Sequence, residues 1–150
     1  CGIIRQPLRR EEPMSFSIRR VEYYYVHVQD RPGEAYALLS QLAASEVNLL
    51  AFGAMPTGEN HAQLTLFPED VPQLARVAER AGLVLEGPHC AILVRGDDRL
   101  GALADVHARL TEADINVYAS TGVTDGRGAY GYILYVCSDQ IDQASAALGA

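Results

Sequence analysis

The chain has no lysine: all 12 of its basic residues are arginine. That excludes Schiff-base chemistry and any phosphate loop built on a lysine ammonium. Tryptophan is absent too, and cysteine is scarce. Cys1, Cys90 and Cys137 form an odd, widely spaced set with neither disulfide-framework nor zinc spacing. Cys90 and Cys137 lie in apolar strand-like runs, where a thiol serves as a small core residue. No apolar run approaches the roughly 20 residues that span a bilayer, and no secretory signal pattern opens the sequence, so no membrane partner is expected and a cytoplasmic location is.

Positive charge is also scarce. The net charge is −7 over 150 residues, and Arg5, Arg9, Arg10, Arg19 and Arg20 all fall in the first twenty, leaving the remainder markedly acidic. An acidic body argues against a nucleic-acid partner. The opening arginines read as a solvated arm, and Met14 is a candidate start.

What the chain does have is an internal copy. A shift of 68 residues carries Asp30, Arg31, Gly33, Leu42, Asn48, Ala51, Gly58 and Leu66 onto Asp98, Arg99, Gly101, Leu110, Asn116, Ala119, Gly126 and Leu134. An unbroken register over that length implies one structural unit used twice. Units of about 65 residues bury only about 60% of their unfolded surface, so each should lean on a neighbour, within a pair or a homodimer.

Each copy reads as βαββαβ. Tyr23 to Val28, rich in aromatic and β-branched residues, predicts a strand. Asp30-Arg31-Pro32-Gly33 follows as a turn in which Asp30 is placed to cap a helix and Pro32 to start it. Ala35, Leu38, Leu39 and Leu42 give that helix an apolar stripe. Val47 to Ala51 and Ala62 to Phe67 predict strands around the Thr57–Asn60 turn, Val71 to Ala81 a helix ended by Gly82, and Leu83 to Glu86 a short fourth strand. The second copy retraces this: strand Ala91 to Arg95, turn Asp98-Arg99-Leu100-Gly101, a helix facing inward through Leu103, Val106 and Leu110, strands Ile115 to Ser120 and Tyr130 to Val136, and a last helix using Ile141, Ala144 and Leu148, capped by Ser138 or Asp139. The sequence ends where the second fourth strand should begin. Either the chain is cut short or pairing is exchanged, and Phe16-Ser17-Ile18 is the segment suited to fill the vacancy. The expected division is an arm over 1–21, disordered or strand-donating, a first unit over 22–88 and a second over 89–150.

An Asp-Arg-Pro-Gly turn between strand one and helix one, with Val-Asn-Leu opening strand two, resembles the ACT domain, a small ligand-sensing module of amino-acid metabolism. The resemblance covers about residues 22 to 150 and rests on Asp30, Pro32, Gly33 and Asn48 in the first copy and Asp98, Gly101 and Asn116 in the second. The second copy departs at Leu100, where the family often has proline. The fold class implied is α+β: two ferredoxin-like βαββαβ units of ACT type in tandem, antiparallel sheets with helices on one face. It further implies ligand contacts from Asp30, Arg31, Pro32, Gly33, Asn48 and Leu49 and from Asp98, Arg99, Leu100, Gly101, Asn116 and Val117, a free amino acid as effector, a regulated enzyme as partner, and no cofactor.

The residues themselves suit such a ligand. Gly33 lets a ligand approach the backbone at the helix start, whose free N–H groups and positive dipole end attract a carboxylate. Asp30 and Asp98 offer a negative group to an ammonium. Helix one spans about 20 Å, so Asn48 starts strand two at the opposite end from Asp30 of its own copy. A shared ligand then requires Asp30 with Asn116, or Asp98 with Asn48, across an interface. The plainer reading stands beside this one: Asp-x-x-Gly is an ordinary helix start, and an asparagine there bonds its own turn. Of Tyr23, Tyr24 and Tyr25, alternation sends one set to the core and the other to a sheet surface or dimer contact.

No enzyme is expected. His27, His61, His89 and His107 fall singly, with no nucleophile at a strained turn, no paired carboxylates and no metal-ligand spacing. Two classes remain: an allosteric amino-acid sensor, or a structural dimerisation or interaction module without ligand.

Overall fold

The computed structural model describes residues 16–149. Strands β1 (Phe16–Gln29), β2 (Leu49–Pro56), β3 (His61–Pro68), β4 (Glu86–Asp97), β5 (Val117–Thr124) and β6 (Ala129–Val136) alternate with helices α1 (Glu34–Ala44), α2 (Val71–Ala81), α3 (Ala102–Glu112) and α4 (Ile141–Leu148). The 68-residue register extends to element bounds: shifting α1, β2 and β3 gives α3, β5 and β6. All pairings are antiparallel, and the strands form one sheet in the order β2-β3-β1-β4-β6-β5.

Where separate sheets are expected, there is one, because β1 and β4 are long and each serves two sets of neighbours. Tyr24 to Gln29 pairs with β3, while Phe16 to Tyr23 pairs with β4, Phe16 opposite Gly96 and Val21 opposite Ala91. That pairing occupies the place beside Ala91 to Gly96 that the sequence leaves vacant. Likewise the second half of β4, from Ile92 on, pairs with β6. The positions 21/22 and 88/89 therefore fall inside continuous strands; residues 1–15 of the arm lie outside the described residues. The short strand expected over Leu83 to Glu86 does not form: strand structure begins at Glu86 and runs on through a bulge at Gly87 and Pro88. A Cβ on Gly87 would stand 3.0 Å from the Tyr23 carbonyl, so the bulge needs glycine.

All four helices cover the same face. Phe16 and Ile18 pack under α3 and α4 beside Ile92, Val94 and Leu134, and Tyr24 and Val26 pack under α1 and α2 beside Leu64 and Leu66. These β1 residues share one parity and hence one side of the strand. Leu38 and Leu42 of α1 and Leu74 of α2 close the first core; Val106 and Leu110 of α3 and Ala144 and Leu148 of α4 close the second. Between the two helical layers Arg20 reaches α4. Its guanidinium donates to Ser145 Oγ at 3.0 Å and pairs with Asp142, and the buried Ser145 hydroxyl donates to the Ile141 carbonyl.

The other face buries Val21, Tyr23, Phe67, Ala91 and Leu93, with no helix of the described residues over them. Two strands separate β3 from β6, about 14 Å in a flat sheet, yet the Phe67 and Tyr135 rings lie 6.3 Å apart. The Tyr23 ring stands 5.0 Å from that of Phe67 and 5.5 Å from that of Tyr135, so the aromatic side chains of this face shield one another. Tyr24 thus belongs to the helix-side core and Tyr23 and Tyr25 to the aromatic face, as alternation requires. Burial, with hydrogen bonding to Tyr25 and Tyr118, holds the Tyr23 hydroxyl far above its ordinary pKa.

Helix starts depart from expectation. Neither Asp30 nor Asp98 caps a helix; the N-cap positions are Gly33 (φ +93°) and Gly101 (φ +82°). Ser138 and Asp139 do not cap α4 either, since they lie in a 3-10 turn, Ser138–Gln140, that leads into it. The second helix of the first copy does form over Val71–Ala81, with Asp70 accepting from the Gln73 amide at 3.0 Å and Gly82 closing it.

Candidate functional site

The two Asp-x-x-Gly stretches form matching corners. Asp30 donates its amide to the Asn60 carbonyl, and Asp98 donates to the Gly128 carbonyl, both at 2.9 Å. These bonds tie each β–α turn to the neighbouring hairpin and leave both carboxylates exposed. Arg31 turns back onto Glu34 and Arg99 onto Asp105. A left-handed glycine then starts each helix, with no side chain over the backbone. First-turn amides have no intrahelical acceptor; at α3 these belong to Leu103 and Ala104.

At the second corner Asp98, Arg99, Leu100 and Gly101 line one cleft of about 740 Å³. The same cleft is lined by Leu103 on α3, Gly122 to Thr124 at the end of edge strand β5, and Tyr130 and Gly131 on β6. The volume falls within the range of small-molecule sites. Burial raises the pKa of the Tyr130 hydroxyl, the nearby Arg99 guanidinium lowering it in part. Arg99 is paired with Asp105 at 2.6 Å, so among the charged residues of the lining Asp98 is the one without a side-chain partner among the described residues.

Sequence reasoning did not place Gly122, Val123, Thr124, Tyr130 and Gly131 at the site, and it turned Leu103 inward, whereas Ala102 fills that core position and Leu103 is exposed. The signal for them was present. If strand two starts at the far end from its own Asp, its last residues must finish beside that Asp.

The asparagines lie elsewhere. Asn48 donates its side-chain amide to Glu69 at 2.8 Å, and Glu69 returns its backbone N–H to the Asn48 carbonyl. It therefore fastens the entry of β2 to the β3–α2 turn, not to the helix–strand turn of its own that the plainer reading assigned to it. Asn116 is exposed at the entry of β5, and its counterpart of Glu69 is Cys137.

Sheet register separates each corner from the other copy's asparagine. Leu49 pairs with Pro68, which stands at the level of Glu22 and Cys90. From Cys90 to Asp98 the strand advances about 26 Å. Val117 pairs with Val136, again level with Cys90 and Glu22, and from Glu22 to Asp30 is another 26 Å or about that. Within one chain, neither Asp98 with Asn48 nor Asp30 with Asn116 can share a small ligand. The midpoint of the repeat is the Glu22–Cys90 pair, since the 68-residue shift carries one onto the other. Leu49 and Val117 sit at that level on opposite outer strands.

Among the described residues, no group of three or more His, Cys, Asp or Glu side chains is placed to hold a metal ion. No helix among them is long and apolar enough to cross a membrane.

No family model matches the sequence, and no curated protein matches it. Solved structures do resemble the fold. Protein BT0572 from Bacteroides thetaiotaomicron superposes with a TM-score of 0.74 at 12% identity, covering 87% of this chain and 88% of that one. The regulatory subunit of aspartate kinase from Thermus thermophilus, in its ligand-free form, gives 0.62 at 11% identity, covering 91% and 97%. A structure of aspartokinase alpha and beta subunits gives 0.59 at 15% identity, covering 91% and 96%. At such identities the likeness shows the fold, an α+β arrangement of one six-stranded antiparallel sheet with four helices.

Proposed function

We propose that this chain is a regulatory module of ACT type: two βαββαβ units that share β1 and β4 and bind a free amino acid. The observation that carries the reading is the cleft at the second corner. Four residues singled out from sequence, Asp98 to Gly101, line it together with the free first turn of α3. There the amides of Leu103 and Ala104 receive the carboxylate and Asp98 receives the ammonium. The fold shared with an aspartate kinase regulatory subunit supports the same reading.

Asn48 and Asn116 are too far from the opposite corners within a chain, so they join a site only from a second copy. β2 and β5 are the outer strands of the sheet, each with one edge unpaired among the described residues, and offer the surfaces for such a homodimer. Ligand binding then controls an associated enzyme by favouring one packing of the copies over another.

A thermal-shift screen of the twenty amino acids tests this. A ligand at 100 times its Kd adds about 2.7 kcal/mol of stability. Asp98→Ala should weaken that response by removing the ammonium's partner. No response to any amino acid at millimolar concentration leaves the structural dimerisation module as the reading.

A further inference from the structure

The sheet has two faces, and the helices of the described residues cover one of them. A strand covered on one side alternates apolar with polar residues, whereas a strand covered on both reads as an unbroken apolar run. Ala91-Ile92-Leu93-Val94 in β4 and Tyr132-Ile133-Leu134-Tyr135-Val136 in β6 are unbroken. On the helix-free face, Tyr25, Leu50, Ile133 and Tyr135 lie half-buried around the residues already buried there. The Tyr118 ring, beside that of Tyr135, is still 57% exposed. The inner strands are thus filled for a second covering layer that the described residues of one chain do not supply.

Size, charge and symmetry point to what supplies it. Strands lie about 4.8 Å apart and same-side residues about 6.8 Å, so six strands of this length present roughly 800 Å² on one face. That equals one side of a standard protein–protein interface. The chain as a whole carries −7, and two copies repel one another over most of their surface. This face is balanced: Arg19, opposite Leu93, and Arg95, two residues along β4 from Leu93, offset Asp97 and the Glu86 carboxylate that bonds His27. The 68-residue shift also carries Phe67 onto Tyr135, Thr65 onto Ile133 and Tyr25 onto Leu93. The face therefore repeats itself about the Glu22–Cys90 midpoint, and a second copy laid on it meets equivalent halves with both of its own.

We propose that two copies of this chain stack through their helix-free sheet faces. Their strands cross at about 30° with the sheets about 10 Å apart, as in other aligned sheet pairs. The layers then run helix, sheet, sheet, helix, and the tyrosines form the middle of the contact. The proposal does not depend on the amino-acid reading. It uses the face of the sheet and leaves the edges of β2 and β5 free for the contact which that reading needs.

Sedimentation velocity of the intact chain at micromolar concentration tests it. The expected mass is that of two copies, or of four where the edge contact forms as well. Thr65→Arg and Gly131→Arg each put a guanidinium into the stacked layer, from β3 and from β6 respectively. Thr65 is half-buried, and a Cβ at Gly131 meets nothing within 4 Å, so the second variant can fold even if the first does not. Each folded variant should show half the parent's mass with the parent's circular dichroism. Both positions are on inner strands, so an assembly made through edges alone would keep its mass in both. That result, or a single-copy mass for the parent, overturns the proposal and leaves the amino-acid reading untouched.

Discussion

The two corners share a backbone and differ in how the strands beneath them are filled. In the first half Val28 stands opposite Ala62 and Ala54 opposite Leu64. In the second, the same cross-strand pairs are Gly96 with Tyr130 and Gly122 with Tyr132. Each aromatic ring is matched by a glycine. A Cβ on Gly96 would lie 2.9 Å from the Tyr130 ring, and one on Gly122 would lie 3.0 Å from that of Tyr132. Volume is conserved pair by pair while its position moves, the kind of change a packed interior tolerates. The helix above changes in step: Leu39 of α1 becomes His107 of α3, whose Nε2 lies 2.7 Å from the Tyr132 hydroxyl. A duplicated frame can thus keep its fold and alter what lies at one helix start. The second half has moved bulk from the edge strand to the inner one, and its cleft opens along the edge strand that lost it.

The sharpest way to break this comparison is to ask whether the halves are separate bodies at all. β1 runs through both cores and β4 pairs along it, so neither half should lose its packing alone. Leu66 and Leu134 occupy equivalent places, and both are fully buried. Leu66→Ala and Leu134→Ala should each cost about 2–5 kcal/mol. Both should move the same single urea transition, followed by circular dichroism. A second resolved transition in either variant would mean that the halves unfold independently and that the shared strands do not couple them.

That coupling was half legible in the sequence. The repeat, the element order and the helix over Val71–Ala81 follow from residue spacing, because local apolar periodicity is set by the face that each element buries. The fusion into one sheet was hidden by Gly87-Pro88, a pair that reads as a break between strands but here sits in a bulge inside β4. Helix starts were misplaced for a related reason. Asp30 and Asp98 are spent on the corner's backbone bond to the next hairpin, and the chain needs two more residues before a left-handed glycine turns it into the helix. At the site, Asp98, Arg99 and Gly101 stood out because the repeat preserves them, whereas Leu100 stands where the first copy has Pro32. Gly122, Val123 and Gly131 did not stand out, because the repeat has Ala54, Met55 and Gln63 in their places, although strand direction alone leads to that corner. Asn48 stood out through the same preservation, but its hydrogen-bond partner Glu69, twenty-one residues on, was not legible because it comes from another turn.

The helices after β3 and β6 sharpen the comparison by a smaller step. Asp70 caps α2 through its bond from the Gln73 amide, whereas α4 is entered through a 3-10 turn with no side-chain cap. Asp70→Ala should cost about 1 kcal/mol, and Ser138→Ala, its counterpart by the shift, close to nothing. Equal losses in urea denaturation would show that the 3-10 entry depends on the Ser138 hydroxyl after all.

The smallest effect belongs to the two hairpin turns. Asp125, in the β5–β6 turn, accepts from the amides of Arg127 at 2.7 Å and Ala129 at 3.1 Å; the first half has Thr57 there. These backbone bonds favour the charged carboxylate and hold its pKa below the ordinary aspartate range. A carboxyl whose folded pKa is depressed adds stability that is fully present above its unfolded pKa. That stability is lost as pH falls through the folded value. Asp125→Asn should therefore be less stable than the parent at neutral pH, and the gap should close on acidification below the usual carboxylate range. Thr57→Ala, at the matching place, should show no such pH dependence. The check is the urea midpoint of each variant against the parent across the acid range. A gap for Asp125→Asn that stays constant into strong acid would mean that the turn is held by its shape and not by the charge, and the two hairpins would then be equivalent.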